Sequence, residues 1–298
     1  MGTFIGHVCP GLFLLVYGLC QAVMVSRAVI TSSSLLHPIA PTRQQGRWAR
    51  LWRISYGGWL KLVTGTLLVA YEISCVKGGL VLMNRELPPR FMYPKQWQHL
   101  TMFILLALNG CVDIASRNLL PRRCQVLEQA ALVLTFYVLL LLLVTHSQDS
   151  AGVELQVHSL LILVVLLLTL VLTAELWAPA TARLELIQTL LFLLMGSWLM
   201  QAGFILFRPI TGYPWQDDDI SDIMFVTTFF CWHVMADALC LLAVYGLCSF
   251  CHRSQGSKLT RSKEAPGYPS TSGGLYKLLQ EMEQPDGEDQ ALLANSTP

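Results

Sequence analysis

"ALVLTFYVLLLLLV" (residues 131–144) and "SLLILVVLLLTLVL" (159–172) are the two stretches that decide the fold, and neither contains a charged side chain. Each lies inside an apolar run of roughly 20 residues, the length a helix needs to cross the hydrocarbon of a bilayer. No water reaches that layer, so a backbone crossing it must satisfy its own hydrogen bonds, as a helix does. The runs are continuously apolar and do not alternate with period two, which favours helices over strands. These two runs extend over 124–146 and 156–177, and five more follow the same pattern: 8–30, 55–76, 98–118, 184–207 and 222–250. The run at 55–76 is the weakest, because it contains Lys61 and Glu72. The run at 8–30 lacks a basic lead-in and is too long for a cleaved signal peptide, so it is read as a retained span. The expected fold is an all-α membrane protein, a seven-transmembrane-helix bundle over 1–251. A tail over 252–298, rich in Ser, Gly, Pro and charge, is expected to be disordered.

Composition agrees with this class. The 298 residues are 54% hydrophobic and 13% charged, with a net charge of +1 and a mean hydropathy of +0.52. The lipid bilayer is thus the expected surroundings, and the near-zero charge gives no basis for a nucleic-acid partner. Nine cysteines are scattered without zinc-ribbon spacing, which argues against a disulfide scaffold. Cys248 and Cys251, at the end of the last span, are palmitoylation candidates.

Orientation follows the basic residues. The 27–53 segment holds Arg27, Arg43, Arg47, Arg50 and Arg53 with no acid, and Arg117, Arg122, Arg123, Arg183, Arg253, Lys258, Arg261 and Lys263 fall on the same side. The opposite side has Lys77, Arg85, Arg90, Lys95 and Arg208. The N-terminus is expected to be lumenal or extracellular and the C-terminus cytosolic.

With that orientation, five of the seven histidines fall in the lumenal half of the bundle: His7, His99, His146, His158 and His233. Imidazole and carboxylate are the usual ligands for zinc, and bundle sites collect them from facing helices. The expected ligands for zinc or another divalent transition metal are His99, His146, Glu154, His158 and His233. His7, Glu72 and Asp237 would support them, Asp237 by orienting His233 one helical turn away. The competing reading makes these histidines interfacial anchors or hydrogen-bonded structural groups. Lys61 can pair with Asp113 or Glu128, while Glu128 and Glu175 are expected to snorkel toward water. No nucleophile elbow, phosphate-binding glycine loop or dinucleotide fingerprint is present, which leans away from an enzyme.

In the tail, Tyr276 and Leu279 have the spacing of a tyrosine-based sorting signal, and Glu288 with Leu292 and Leu293 that of an acidic dileucine signal. Clathrin-adaptor-type proteins read such peptides in extended form. They point to Golgi, endosomal or lysosomal, or plasma membranes. The leading expectation is a multi-pass protein acting through partners or trafficking. A metal-dependent lipid hydrolase and a proton- or metal-linked transporter are the alternatives.

Four motifs in order, "GHVCPGLFLLVYGL" (6–19), "QHLTMF" (98–103), "GSWLMQAGFILFRP" (196–209) and "FFCWHV" (229–234), resemble the transmembrane protein 45 family. The resemblance covers roughly residues 4 to 250 and implies a seven-spanning fold with a domain of unknown function. It also implies matches at His7, His99, His146, His158 and His233. This chain departs from the family pattern at Gln98 and Gln148, where further histidines are common, and at Leu139, where a glutamate is.

Overall fold

The computed structural model describes residues 3–31, 55–76, 79–120, 124–179 and 181–263. Seven helices account for most of them: α1 (Phe4–Thr31), α2 (Tyr56–Ser74), α3 (Pro94–Asn118), α4 (Gln125–His146), α5 (Gly152–Trp177), α6 (Ala182–Phe207) and α7 (Ile220–Lys263). All but α2 are long and apolar enough to cross a membrane, by length and composition. The 19-residue α2 carries Lys61 and Glu72. The chain divides into two units, Met1–His252 and Arg253–Pro298. Helix α7 runs past His252 into the segment assigned by composition to the tail; "SQGSKLTRSK" contains no proline to stop it. Tyr276, Leu279, Glu288, Leu292 and Leu293 lie outside the described residues.

Two tight pairs organise the first unit, α1 against α6 and α2 against α3. Both depend on glycine. A Cβ on Gly11 of α1 would come within 2.9 Å of the Met200 nitrogen on α6. A Cβ on Gly110 of α3 would lie 2.6 Å from the Gly58 carbonyl of α2. Such backbone approach is how helices gain contact where lipid and side chain are equally apolar. The dense centre lies in α5 and α6, where Val165, Leu168, Leu193 and Trp198 are fully buried. The Trp198 Nε1–H donates to the Val157 carbonyl at 3.1 Å, satisfying the one polar atom of that ring.

Lys61 and Glu175, two ionisable groups within the apolar helices, both have partners on a neighbouring helix. Lys61 donates to Asp113 and to the Asn109 amide oxygen, both at 2.8 Å. Of its two sequence candidates, Asp113 is thus the partner, as expected for adjacent α2 and α3. Glu175 corrects the snorkelling expectation: it is buried, and the Gln188 amide donates to its two oxygens at 2.6 and 2.9 Å. A partner on the neighbouring helix removes the drive toward water. The acidic turn before α7 closes on itself, with Asp219 accepting from the Ser221 N–H and Asp222 from the Gln216 N–H, both at 2.8 Å.

Candidate functional site: four histidines above an apolar cavity

Four of the seven histidines meet at one end of the first unit. His7 enters from the first turn of α1, His99 from the start of α3, His146 from the last residue of α4 and His158 from the start of α5. His7, His146 and His158 are buried. Neighbouring ring centres are 4.9 Å apart for His99–His146, 5.5 Å for His146–His158 and 6.2 Å for His158–His7.

The hydrogen bonds select one tautomer throughout. His7 Nδ1 lies 3.0 Å from the Thr3 carbonyl and His158 Nδ1 2.8 Å from the Glu154 carbonyl, and carbonyls only accept. His146 Nδ1 lies 3.0 Å from Gln98 Oε1, whose amide nitrogen donates onward to Thr145. His99 Nδ1 lies 3.2 Å from the buried Glu72 carboxylate. In each ring Nδ1 carries the proton, so in the neutral form Nε2 holds the lone pair. An acceptor on one nitrogen, leaving the other free to ligate, is the usual support for a metal-bound histidine.

Below the rings lies a cavity of about 170 Å³, bounded by α1, α3, α4 and α6, with single contributions from α2 and further ones from α5. All four histidines line it, and its walls are phenylalanine, leucine and methionine side chains. Lys61, Asn109 and Thr135 mark its far end. Outside the rings, Lys95 pairs with Asp149 at 3.2 Å and stands 3.7 Å from the Glu154 carboxylate. The Lys95 ammonium holds the exposed Asp149 carboxyl below the usual carboxylate range.

Comparison with known proteins places the chain. A family described as "Family of unknown function (DUF716)" matches residues 125–246. Mouse transmembrane epididymal protein 1A is 64% identical over 301 residues, covering 100% of this chain and 99% of its own. Rat transmembrane epididymal protein 1 is 62% identical over 301 residues, covering 100% and 99%. The human protein of that name is 65% identical over 268 residues, covering 89% and 98%. This chain belongs to the transmembrane epididymal protein 1 family. Relatives named for their membrane location, together with the six apolar helices, make it a multi-pass integral membrane protein. A transmembrane epididymal protein is also the member that the quoted motifs lead to; the wider transmembrane protein 45 name rests on those motifs alone.

For this member of the transmembrane epididymal protein 1 family, the sequence-derived residues separate into those the fold gathers and those it sets apart. His99, His146 and His158 come together, and Glu72 supports His99. His7 is a ring of the cluster itself instead of a support behind it. Glu154 meets His158 through its main-chain carbonyl, while its carboxylate stays near water and Lys95, where an ion is cheaper to keep. His233 packs on the ring of Trp198, and Asp237 accepts from Ser197 Oγ at 2.7 Å across α6. Asp237 is thus engaged by a neighbouring helix and not by the histidine on its own. Cys248 is half-buried and Cys251 exposed. Gln98, read from sequence only as a departure from the family pattern, is the group that orients His146. Its position beside His99 was the available signal.

Among the described residues no three His, Cys, Asp or Glu side chains already point at one centre with ligand spacing. In the order His99, His146, His158, His7, consecutive ring centres are 4.9, 5.5 and 6.2 Å apart. With Zn–N near 2.0–2.1 Å, imidazoles sharing a tetrahedral ion have centres about 5 Å apart.

Proposed function

We propose that this integral membrane protein binds a divalent transition metal of the zinc class through the Nε2 atoms of His99, His146 and His158, with His7 as the fourth ring. The observation that carries the reading is the shared tautomer, because four acceptors from four different places leave four ligand nitrogens at one end of one cavity. A purely structural set of histidines has no need to leave every Nε2 uncommitted. The apolar cavity beneath weighs against an ion path, since such a space stays dry and offers a travelling ion nothing to bind. The decisive experiment is metal analysis by mass spectrometry on detergent-purified protein beside a His146→Ala/His158→Ala variant. About one zinc or comparable metal per chain, lost in the variant, is the expected result. Background metal in both would return the rings to structural duty.

The proposal places the site in the lumenal half of seven crossings, with α2 crossing as well and the N-terminus lumenal. The tail signals at Tyr276 and at Leu292–Leu293 would carry the protein among Golgi, endosomal or lysosomal, and surface membranes through adaptor proteins. An unchanged surface fraction after replacing all three with alanine would remove that part.

A further inference from the structure

We infer that the cavity below the histidines holds a single medium-length acyl chain, of roughly eight carbons by its volume, whose carboxyl or ester oxygen faces the Nε2 atoms. The inference rests on the metal-site reading, since a bound metal is what would hold that oxygen.

Three observations select this ligand class. The first is length and width. His99 and Asn109 both line the cavity and are ten residues apart on α3, as His7 and Tyr17 are on α1, so the space is about 15 Å long at the helical rise. Spread over that length, 170 Å³ makes a narrow slot, too thin for more than one chain. A compact apolar cavity of about 150 Å³ takes one six-carbon benzene ring, so at the same packing the slot takes a chain of roughly seven to eight carbons. A fused-ring sterol does not fit the proportions.

The second is polarity. The middle of the slot is carbon on every side, contributed by Phe13, Phe103, Leu106, Phe136, Leu139 and Phe192. Such a space excludes water, and an extended hydrocarbon fills it without leaving a polar group unpaired.

The third is the difference between the two ends. Lys61 could hold a headgroup at the far end if it were free. Its ammonium is instead committed to Asp113 and Asn109 at 2.8 Å each and lies 6.0 Å from the centre of the Tyr17 ring. The histidine end has the opposite character, with each Nδ1 satisfied and each Nε2 left over. A polar head therefore belongs with the histidines and the methyl end near Lys61.

The test uses full-length protein in detergent, with an octanoic acid analogue bearing a mid-chain diazirine and a terminal alkyne. Photolabelling should saturate and map to peptides of α3, α4 and α6 that line the cavity. Octanoate or octanoyl-lysophosphatidylcholine should compete and cholesterol should not; which of the two competes better tells whether the acyl group arrives free or as an ester. Leu106→Trp, which fills the slot, should lower labelling at least about tenfold while metal per chain is unchanged. The smaller Leu139→Phe serves the same purpose if the tryptophan variant aggregates. Labelling that does not saturate, that falls on the outward residues Leu141 and Leu170, that cholesterol blocks equally, or that survives both variants with metal retained overturns the acyl site and leaves the metal reading standing. Wild-type protein free of metal overturns the metal reading and, with it, the orientation inferred for the head.

Discussion

Lys61→Met isolates what the intramembrane ion pair contributes. The Lys61 and Asp113 side chains are 12% and 15% exposed, and the ammonium also holds the Asn109 amide oxygen. Replacing Lys61 by a methionine of similar length strands a carboxylate between α2 and α3. Breaking a buried pair from one side costs about 3–5 kcal/mol, because the remaining charge must be neutralised or solvated in place. For a domain of this size each kcal/mol moves the melting temperature by about 2–4 °C, so the fall should be about 6–20 °C. The double variant Lys61→Met/Asp113→Leu removes both charges and should recover most of the loss, since an apolar pair of similar volume suits the site. Thermal unfolding in detergent, followed by the fluorescence of the eight tryptophans, reads both. The reasoning fails if the single variant melts within 2 °C of wild type, or if the double variant melts as low as the single one.

Glu72→Ala removes the acceptor from His99 Nδ1, and metal affinity measured by chelator competition should fall about 10- to 100-fold while the protein stays monodisperse. Gly110→Ala places a methyl 2.6 Å from the Gly58 carbonyl, so α2 and α3 must part; a loss of about 1–3 kcal/mol should show in the same melting assay, and an unchanged melting temperature would contradict the close approach. An N-terminal epitope and Cys75, in a variant with the other cysteines removed, should both be reached by impermeant reagents from one membrane face. Their appearance on opposite faces would mean that α2 does not cross.

How much was legible in advance depended on the kind of information each residue carries. Hydropathy runs are local, so the helices around 131–144 and 159–172 could be read directly, with ends close to those observed. Depth is local too, which is why His99, His146 and His158 could be assigned to one level of the bundle. The helix around Lys61 and Glu72 was the hardest to classify, because its polar groups make sense only once Asp113 and His99 stand opposite them.

The sequence by itself determined the membrane class, the order of the helices, and the level at which the histidines sit along them. Tertiary structure alone decided which of them meet. Facing is set by how each helix rotates to bury its glycines and large side chains against particular neighbours, and that rotation depends on residues far away in the chain. The α1–α6 packing at Gly11 brings His7 to the cluster, while Trp198 and Ser197 take His233 and Asp237 for a separate contact. Glu154, one turn from His158, shows the same limit most simply. Spacing put the two on one helical face and allows the local contact of the ring with the Glu154 carbonyl, but only the fold places Lys95 where the Glu154 carboxylate turns to it and to water.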